Sequence, residues 1–251
     1  MVRAVRSLLA FLTLMASFVV AGFLQRLLWP LFAAWPPARG PAMDRLMRAK
    51  AAWVLCLVRA GGGSLRRTGT VPTGTPILIL MNHQSLLDVP TAICMCAPHV
   101  PVFVTRRLYA RYIPMVSLML RIREDPLVDP ERDPRGSIAA LKRAARVHGH
   151  GILLFPEGHR TPTGEVGAFE TAGVRVLLGE RRVPVYLLAT DGFWTCRELS
   201  DFVFNMGRIR GRTEVLGPFD PPTSAAALPE FVDRMRGILV ARLSAMRRAD
   251  L

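Results

Sequence analysis

Residues Ser7 to Gln25 (SLLAFLTLMASFVVAGFLQ) form an uncharged apolar run, with Arg3 and Arg6 before it and Arg26 after it. The run approaches the roughly 20 apolar residues a helix needs to cross a bilayer. A second apolar piece, Leu27 to Trp35, follows directly and ends at Pro36-Pro37. Its Trp29 and Trp35 suit the headgroup boundary, where amphipathic rings settle. The pattern admits a single span or a hairpin that dips in and returns. From Ala42 to Arg59, Met43, Leu46, Met47, Trp53, Val54, Leu57 and Val58 recur at helical spacing, with Arg45, Arg48 and Lys50 on a cationic side. This predicts a helix lying on the membrane, though a helix packed on a core has the same periodicity. A cleaved leader also begins with arginines before an apolar run, but this run is long for one and lacks a small-residue exit. The downstream crowd of Arg26, Arg39, Arg45, Arg48 and Lys50 favours a main domain on the cytoplasmic side.

After Gly61-Gly62-Gly63, read as a helix stop or hinge, the periodicity changes to short apolar strands alternating with helices. Ile77–Met81, Val100–Thr105, Gly151–Phe155 and Val183–Ala189 read as buried strands. Helices are predicted near Asp88–Cys96, in part of Arg107–Arg121, over Ser137–Val147, and over Leu228–Arg248, which is basic and amphipathic. Near-continuous apolar strands separated by helices predict an α/β fold, a largely parallel sheet sandwiched by helices, with an N-terminal membrane-embedded helical element. The predicted organisation is an anchor and interfacial helix over 1–60 and a catalytic domain over 61–251.

Composition narrows the partners. Lys+Arg total 33 against Asp+Glu 19, a net charge of +14, and only Lys50 and Lys142 are lysines. Such an excess favours anionic partners such as lipid headgroups or phosphorylated substrates, although a GC-rich genome that writes Arg for Lys gives part of it. No nucleic-acid module accompanies the charge, so nucleic acid is not an expected partner. The four cysteines make no disulfide framework in a chain this long. Cys94-x-Cys96 with His99 fits no common zinc spacing, and His148, His150 and His159 read as surface residues, so no metal site is predicted.

The chemistry concentrates where the first buried strand ends, at Asn82-His83-Gln84-Ser85-Leu86-Leu87-Asp88. Loops at the carboxyl ends of parallel strands are where ligands collect. Asp88 falls at the start of the next helix, because Pro90 is tolerated only where backbone donors are unpaired anyway. A loop folding back to start that helix sets the carboxylate against one imidazole nitrogen of His83. The other nitrogen is then an acceptor for a substrate hydroxyl proton. Ser85 has no G-x-S-x-G turn around it and reads as a helix-start residue, not a nucleophile.

These residues resemble the NHxxxxD signature of glycerolipid acyltransferases of the lysophosphatidate type. Phe155-Pro156-Glu157-Gly158-His159-Arg160 is similar to that family's FPEGTR, and Val183-Pro184-Val185 to its late V-P-V strand. The resemblance covers about residues 65–220. It implies phospholipid biosynthesis, with His83 as the base, Asp88 as its orienting partner, and direct attack of a lysophospholipid hydroxyl on an acyl-CoA or acyl-carrier-protein thioester. No acyl-enzyme and no further cofactor are implied. Glu157, Gly158 and Arg160 would shape the acceptor pocket, with Arg160 on the phosphate, where its fork suits the oxygens. The chain departs from the family at His159, which stands for threonine, and between Gly164 and Gly167, where it is shorter and lacks a customary lysine. Counted from Ile113-Pro114, Val128-Asp129-Pro130 stands where relatives have Ile-Asp-Arg. Arg132 is the expected substitute on the phosphate, with Arg121 and Arg123 as further candidates. The missing cations leave another acceptor, such as a lyso-ornithine lipid, and a catalytically inactive lipid-binding homologue as alternatives. The implied location is a bacterial inner membrane, with the catalytic domain on the cytoplasmic face.

Overall fold

The computed structural model describes residues 2–34, 36–72, 74–111, 113 and 116–249; Trp35 and Pro114, used in the reading above, lie outside the described residues. The chain opens with α1 (Val2–Ala34) and α2 (Pro36–Ala60), packed against each other. They run antiparallel, since Arg6 near the start of α1 donates through Nε and Nη2 to the Ala60 carbonyl at the end of α2, at 3.2 and 2.9 Å. Among the described residues, Val2–Pro30 is the one stretch long and apolar enough to cross a membrane. Its outer face exposes Leu9, Leu12, Val19, Val20, Phe23 and Leu27, while Ala10 and Leu14 are buried in a cluster with Leu55, Val58, Phe202 and Met206.

The apolar stripe of α2 goes mostly to protein contacts. Met43, Leu57 and Val58 are buried and Met47 and Val54 pack on the core, whereas Trp53 stays exposed. Periodicity identifies a helix's apolar face but not what covers it. Here α1 and α3 (Asp88–Met95) cover it, and the outward apolar surface of the hairpin is chiefly that of α1. The triple glycine stops α2: the Gly61 N–H bonds Leu57 O at 2.8 Å, and Gly62 takes the left-handed conformation (φ +99°) that glycine adopts freely.

Six strands form one sheet in the order β1-β8-β7-β2-β6-β3, namely β1 Ser64–Thr68, β2 Leu78–Met81, β3 Val102–Phe103, β6 Ile152–Leu154, β7 Val185–Asp191 and β8 Arg210–Phe219. All pairings are parallel except β7 with β8. The apolar runs at 77–81, 151–155 and 183–189 are the adjacent central strands, and the run at 100–105 divides into β3 and β4 (Thr105–Arg106), which pairs with β5 (Leu127–Val128) in a small second sheet. Alternation along the strands feeds two cores. Leu78, Leu80 and Leu187 meet α5 (Pro134–Val147), α6 (Thr171–Glu180) and α8 (Leu228–Arg248) on one face. Ile79, Met81, Leu153 and Leu188 meet α2 and α3 on the other. Two short helices complete the fold, α4 (Val116–Ile122) and α7 (Phe202–Asn205), the latter packed on α1.

A buried charge cluster ties α2 to the sheet. Arg123 pairs with Asp44 and donates to the carbonyls of Val100 and Pro101 at 3.1 and 3.0 Å. Asp125 beside it is 4% exposed, its Oδ1 lies 3.7 Å from Arg123 Nε, and among the described residues neither of its oxygens has a hydrogen-bond partner. Burial pushes its carboxyl up to about 7, against the opposing pull of Arg123. With the folded pKa above the unfolded value of 3.8, the folded state binds this proton more tightly. The resulting stabilisation is full below about pH 4 and is lost as pH rises through about 7, a change on the order of 4 kcal/mol. Asp125→Asn mimics the neutral acid, so its urea midpoint should exceed the wild-type value at pH 8 and converge with it only below about pH 4. A gap independent of pH would refute this assignment.

Candidate active site

The loop leaving β2 is clamped before it reaches any reactive group. Asn82 lies under it, with its Nδ2 donating to Thr190 O and its Oδ1 accepting from Thr190 N, both at 2.8 Å, so its side chain replaces a strand pairing to β7. His83 is then gripped through its backbone. Its N–H donates to Glu157 Oε1 at 2.8 Å, and its carbonyl accepts from Thr161 N–H at 2.8 Å. Asp88 opens α3, and the loop curls over the mouth of that helix.

Asp88 is fully buried, and its Oδ2 is the focus of the turn. It accepts from the backbone N–H of Gln84 at 2.7 Å and of Ser85 at 2.8 Å, and lies 2.7 Å from His83 Nδ1. A carboxylate can only accept, so Nδ1 carries the proton and Nε2 is the basic nitrogen. The imidazole stacks on Phe155 with centroids 4.0 Å apart and planes at 20°. Its side chain keeps 18% exposure, and Nε2 has no hydrogen bond among the described residues. An oriented imidazole with one free basic nitrogen can remove a proton from a bound hydroxyl. Ser85 is ruled out as a nucleophile by its position: it is buried, its Oγ donates to Cys196 O, and it accepts from Leu87 N–H at 3.2 Å.

Glu157 is 2% exposed, and each of its oxygens accepts one backbone N–H, from His83 at 2.8 Å and from Gly167 at 2.7 Å. Burial pushes its carboxyl upward, opposed by these two donors. It acts as a brace between two loops. Gly158 turns with φ +70°, and a Cβ there would meet nothing within 4 Å, so the demand for glycine is conformational. Arg160 is half-buried and donates to the Arg197 carbonyl; among the described residues it pairs with no carboxylate. His83, Asp88, Glu157, Gly158 and Arg160 are thus drawn together by two bonded loops. Arg132 is not drawn in. It lies in the exposed turn between β5 and α5, where its N–H bonds Asp129 Oδ1 at 3.4 Å, and among the described residues no hydrogen bond joins it to the other five. Arg121 and Arg123 are also bound elsewhere, to Ala110 O and to the Asp44 cluster.

Several contributors went unnoticed in the sequence. Phe155 reads from the sequence as the end of a strand and the start of a motif, not as the platform under the imidazole, and Thr161 only as the residue after that motif. Gln84, fully buried, carried no spacing signal at all.

The sequence model of the family described as Acyltransferase matches residues 65–188. A 1-acyl-sn-glycerol-3-phosphate acyltransferase of Cocos nucifera is 25% identical over 198 residues, covering 76% of this chain and 60% of its own length. The chloroplastic 1-acyl-sn-glycerol-3-phosphate acyltransferase LPAT1 of Arabidopsis thaliana is 28% identical over 140 residues, covering 54% of this chain and 38% of its own length. The chain therefore spans no more than 60% of the length of these relatives. The crystal structure of the 1-acyl-sn-glycerophosphate acyltransferase PlsC of Thermotoga maritima superposes with a TM-score of 0.70 at 20% identity, over 97% of this chain and 98% of that one, which is a likeness of fold.

Proposed function

The chain belongs to the acyltransferase family by its residues 65–188, and from that premise we propose that it moves a fatty acyl group from an acyl-CoA or acyl-carrier-protein thioester to the hydroxyl of a lysophospholipid, 1-acyl-glycerol-3-phosphate first among the acceptors. The observation that carries the reading is His83 Nδ1 at 2.7 Å from the buried, amide-bound Asp88 carboxylate. His83 Nε2 takes the hydroxyl proton as that oxygen attacks the thioester carbonyl. The C–S bond then breaks, and the departing sulfur takes the proton back from the imidazolium. Asp88 stabilises the imidazolium throughout and holds the tautomer. Arg160 sits one loop away, with a guanidinium suited to an acceptor phosphate.

The division into an anchor over 1–60 and a catalytic domain over 61–251 belongs to the same proposal. The anchor reading is supported by the outward apolar face of α1. Ala10 and Leu14 are buried and Phe18 packs on the domain, so roughly 16 residues of α1 remain beyond it, about 24 Å of helix against a hydrocarbon core of about 30 Å. That length suits a hairpin dipping into one leaflet better than a full span, with the domain on the cytoplasmic face of a bacterial inner membrane.

One observation favours a second acceptor class. Pro130 stands where the family pattern has an arginine, and among the described residues Arg132 makes no bond in the site, so a lysolipid with a different headgroup, such as a lyso-ornithine lipid, is the runner-up. The test is thiol release from acyl-CoA by the full chain in detergent, with and without each lysolipid, and with products identified by mass. Acceptor-dependent release with a mass gain of one acyl chain is expected. Equal release without acceptor would indicate a hydrolase, and binding of lipid without turnover an inactive homologue; either overturns the reading.

A further inference from the structure

We propose that Arg247, in the last turn of α8, is a positioning residue for the catalytic loop, acting through Asp191 and Gln84; this rests on the reading of His83 as the base. Arg247 lies outside the segment matched to the family, 65–188, yet it is two residues away from the loop through hydrogen bonds alone. Its Nε donates to Asp191 Oδ2 and its Nη2 to Asp191 Oδ1, both at 2.9 Å, so its fork closes on the last residue of β7. Nη2 also donates to the Gly164 carbonyl at 2.8 Å. Gln84 Nε2 donates to the same two acceptors, Asp191 Oδ1 at 3.1 Å and Gly164 O at 3.0 Å. Its Oε1 accepts from Phe193 N–H at 3.1 Å, so both ends of the buried amide are engaged and its orientation is fixed. The backbone N–H of this same glutamine is one of the three donors on Asp88 Oδ2.

A second arginine of α8 repeats the grip. Arg236 donates through Nε to Gly167 O and through Nη2 to Val166 O, the latter at 3.0 Å. Gly167 N–H in turn holds Glu157, which holds His83 N–H. The helix does not need these bonds to stay attached, since Leu239, Leu243 and Met246 are buried in the core, and a partly exposed ion pair adds little to stability. Their consequence is alignment. Without the fork, Asp191 and Gly164 lose one of two shared donors, Gln84 can turn, and the His83–Asp88 geometry loosens.

The experiment uses the full chain with Arg247→Ala, Arg247→Lys and, as a control, Arg248→Ala, which removes an exposed charge one residue on. Both Arg247 variants should lower kcat about tenfold or more, with KM for donor and acceptor within about twofold of wild type, and should move the acid limb of the pH–rate profile. Lysine should not rescue, because an ammonium cannot close on both oxygens of Asp191. The downfield NMR proton on His83 Nδ1 should broaden in both variants and stay sharp in Arg248→Ala. If the variants keep wild-type kcat, pH limb and His83 proton, the proposal is overturned. It is equally overturned if kcat falls only as the folded fraction falls, with the His83 proton unchanged. Should Arg247→Ala fail to fold, Arg247→Lys and the proton signal decide. Should the wild-type chain transfer no acyl group, the proposed function fails, while the His83 proton still reports on Arg247.

Discussion

His83→Ala is expected to lower acyl transfer by about 10²–10⁴-fold, the usual worth of a positioned general base, with the fold and the association with lipid retained. The selectivity of this loss follows from how His83 is held. Its bonds to Glu157 and Thr161 are made by its own N–H and carbonyl, which alanine keeps. The imidazole contributes a stack on Phe155 and one of three bonds to Asp88. After its removal Asp88 Oδ2 still accepts from the Gln84 and Ser85 amides, so it keeps two of its three donors. Initial rates of thiol release, read beside the thermal midpoint and sedimentation with vesicles, check it. Full activity with every acceptor that the wild type uses would mean that another group takes the proton.

How much of this was visible in the chain depends on which interactions are local. The three central strands were legible as apolar runs because a parallel strand covered on both faces leaves no polar alternation to confuse them. The strand β8 was missed for the opposite reason. Its sequence, RGRTEVLGPF, is half-exposed and polar, pairs antiparallel to β7 across a register shift, and finds its other partner in β1 far upstream. The end of α8 was legible to the residue, but its role was not, because Arg247 reads as one more cation of a solvated face until the end of β7 is folded against it. The His83–Asp88 pair lay within reach of spacing arguments since strand end, loop and helix start are consecutive. The phosphate-binding role expected of Arg132 came from counting alone, and among the described residues its hydrogen bond is local, to Asp129. The α2 stripe carries the same lesson, since a bilayer and a neighbouring helix select the same side chains and only packing tells them apart.

Glu157→Ala should lower stability by about 2–6 kcal/mol. Each backbone donor left without an acceptor costs about 1–3 kcal/mol, and this substitution strips the partner from two, on His83 and Gly167. A carboxylate following proline in a ligand loop reads from sequence as a group that touches the acceptor. One that is 2% exposed, with each oxygen already accepting a backbone N–H, is placed to brace the two loops. The two readings separate in measurement. A ligand-binding glutamate would give a raised acceptor KM at unchanged urea midpoint, whereas a brace gives a lowered midpoint in the absence of any substrate. Glu157→Gln sharpens the distinction, because its amide keeps one acceptor oxygen but turns an NH₂ toward the other backbone N–H. Its midpoint should therefore fall between alanine and wild type, and kcat should fall with it, since the loop that the brace supports is the one presenting the imidazole. A glutamine variant with wild-type stability and a selectively raised KM would return Glu157 to the acceptor.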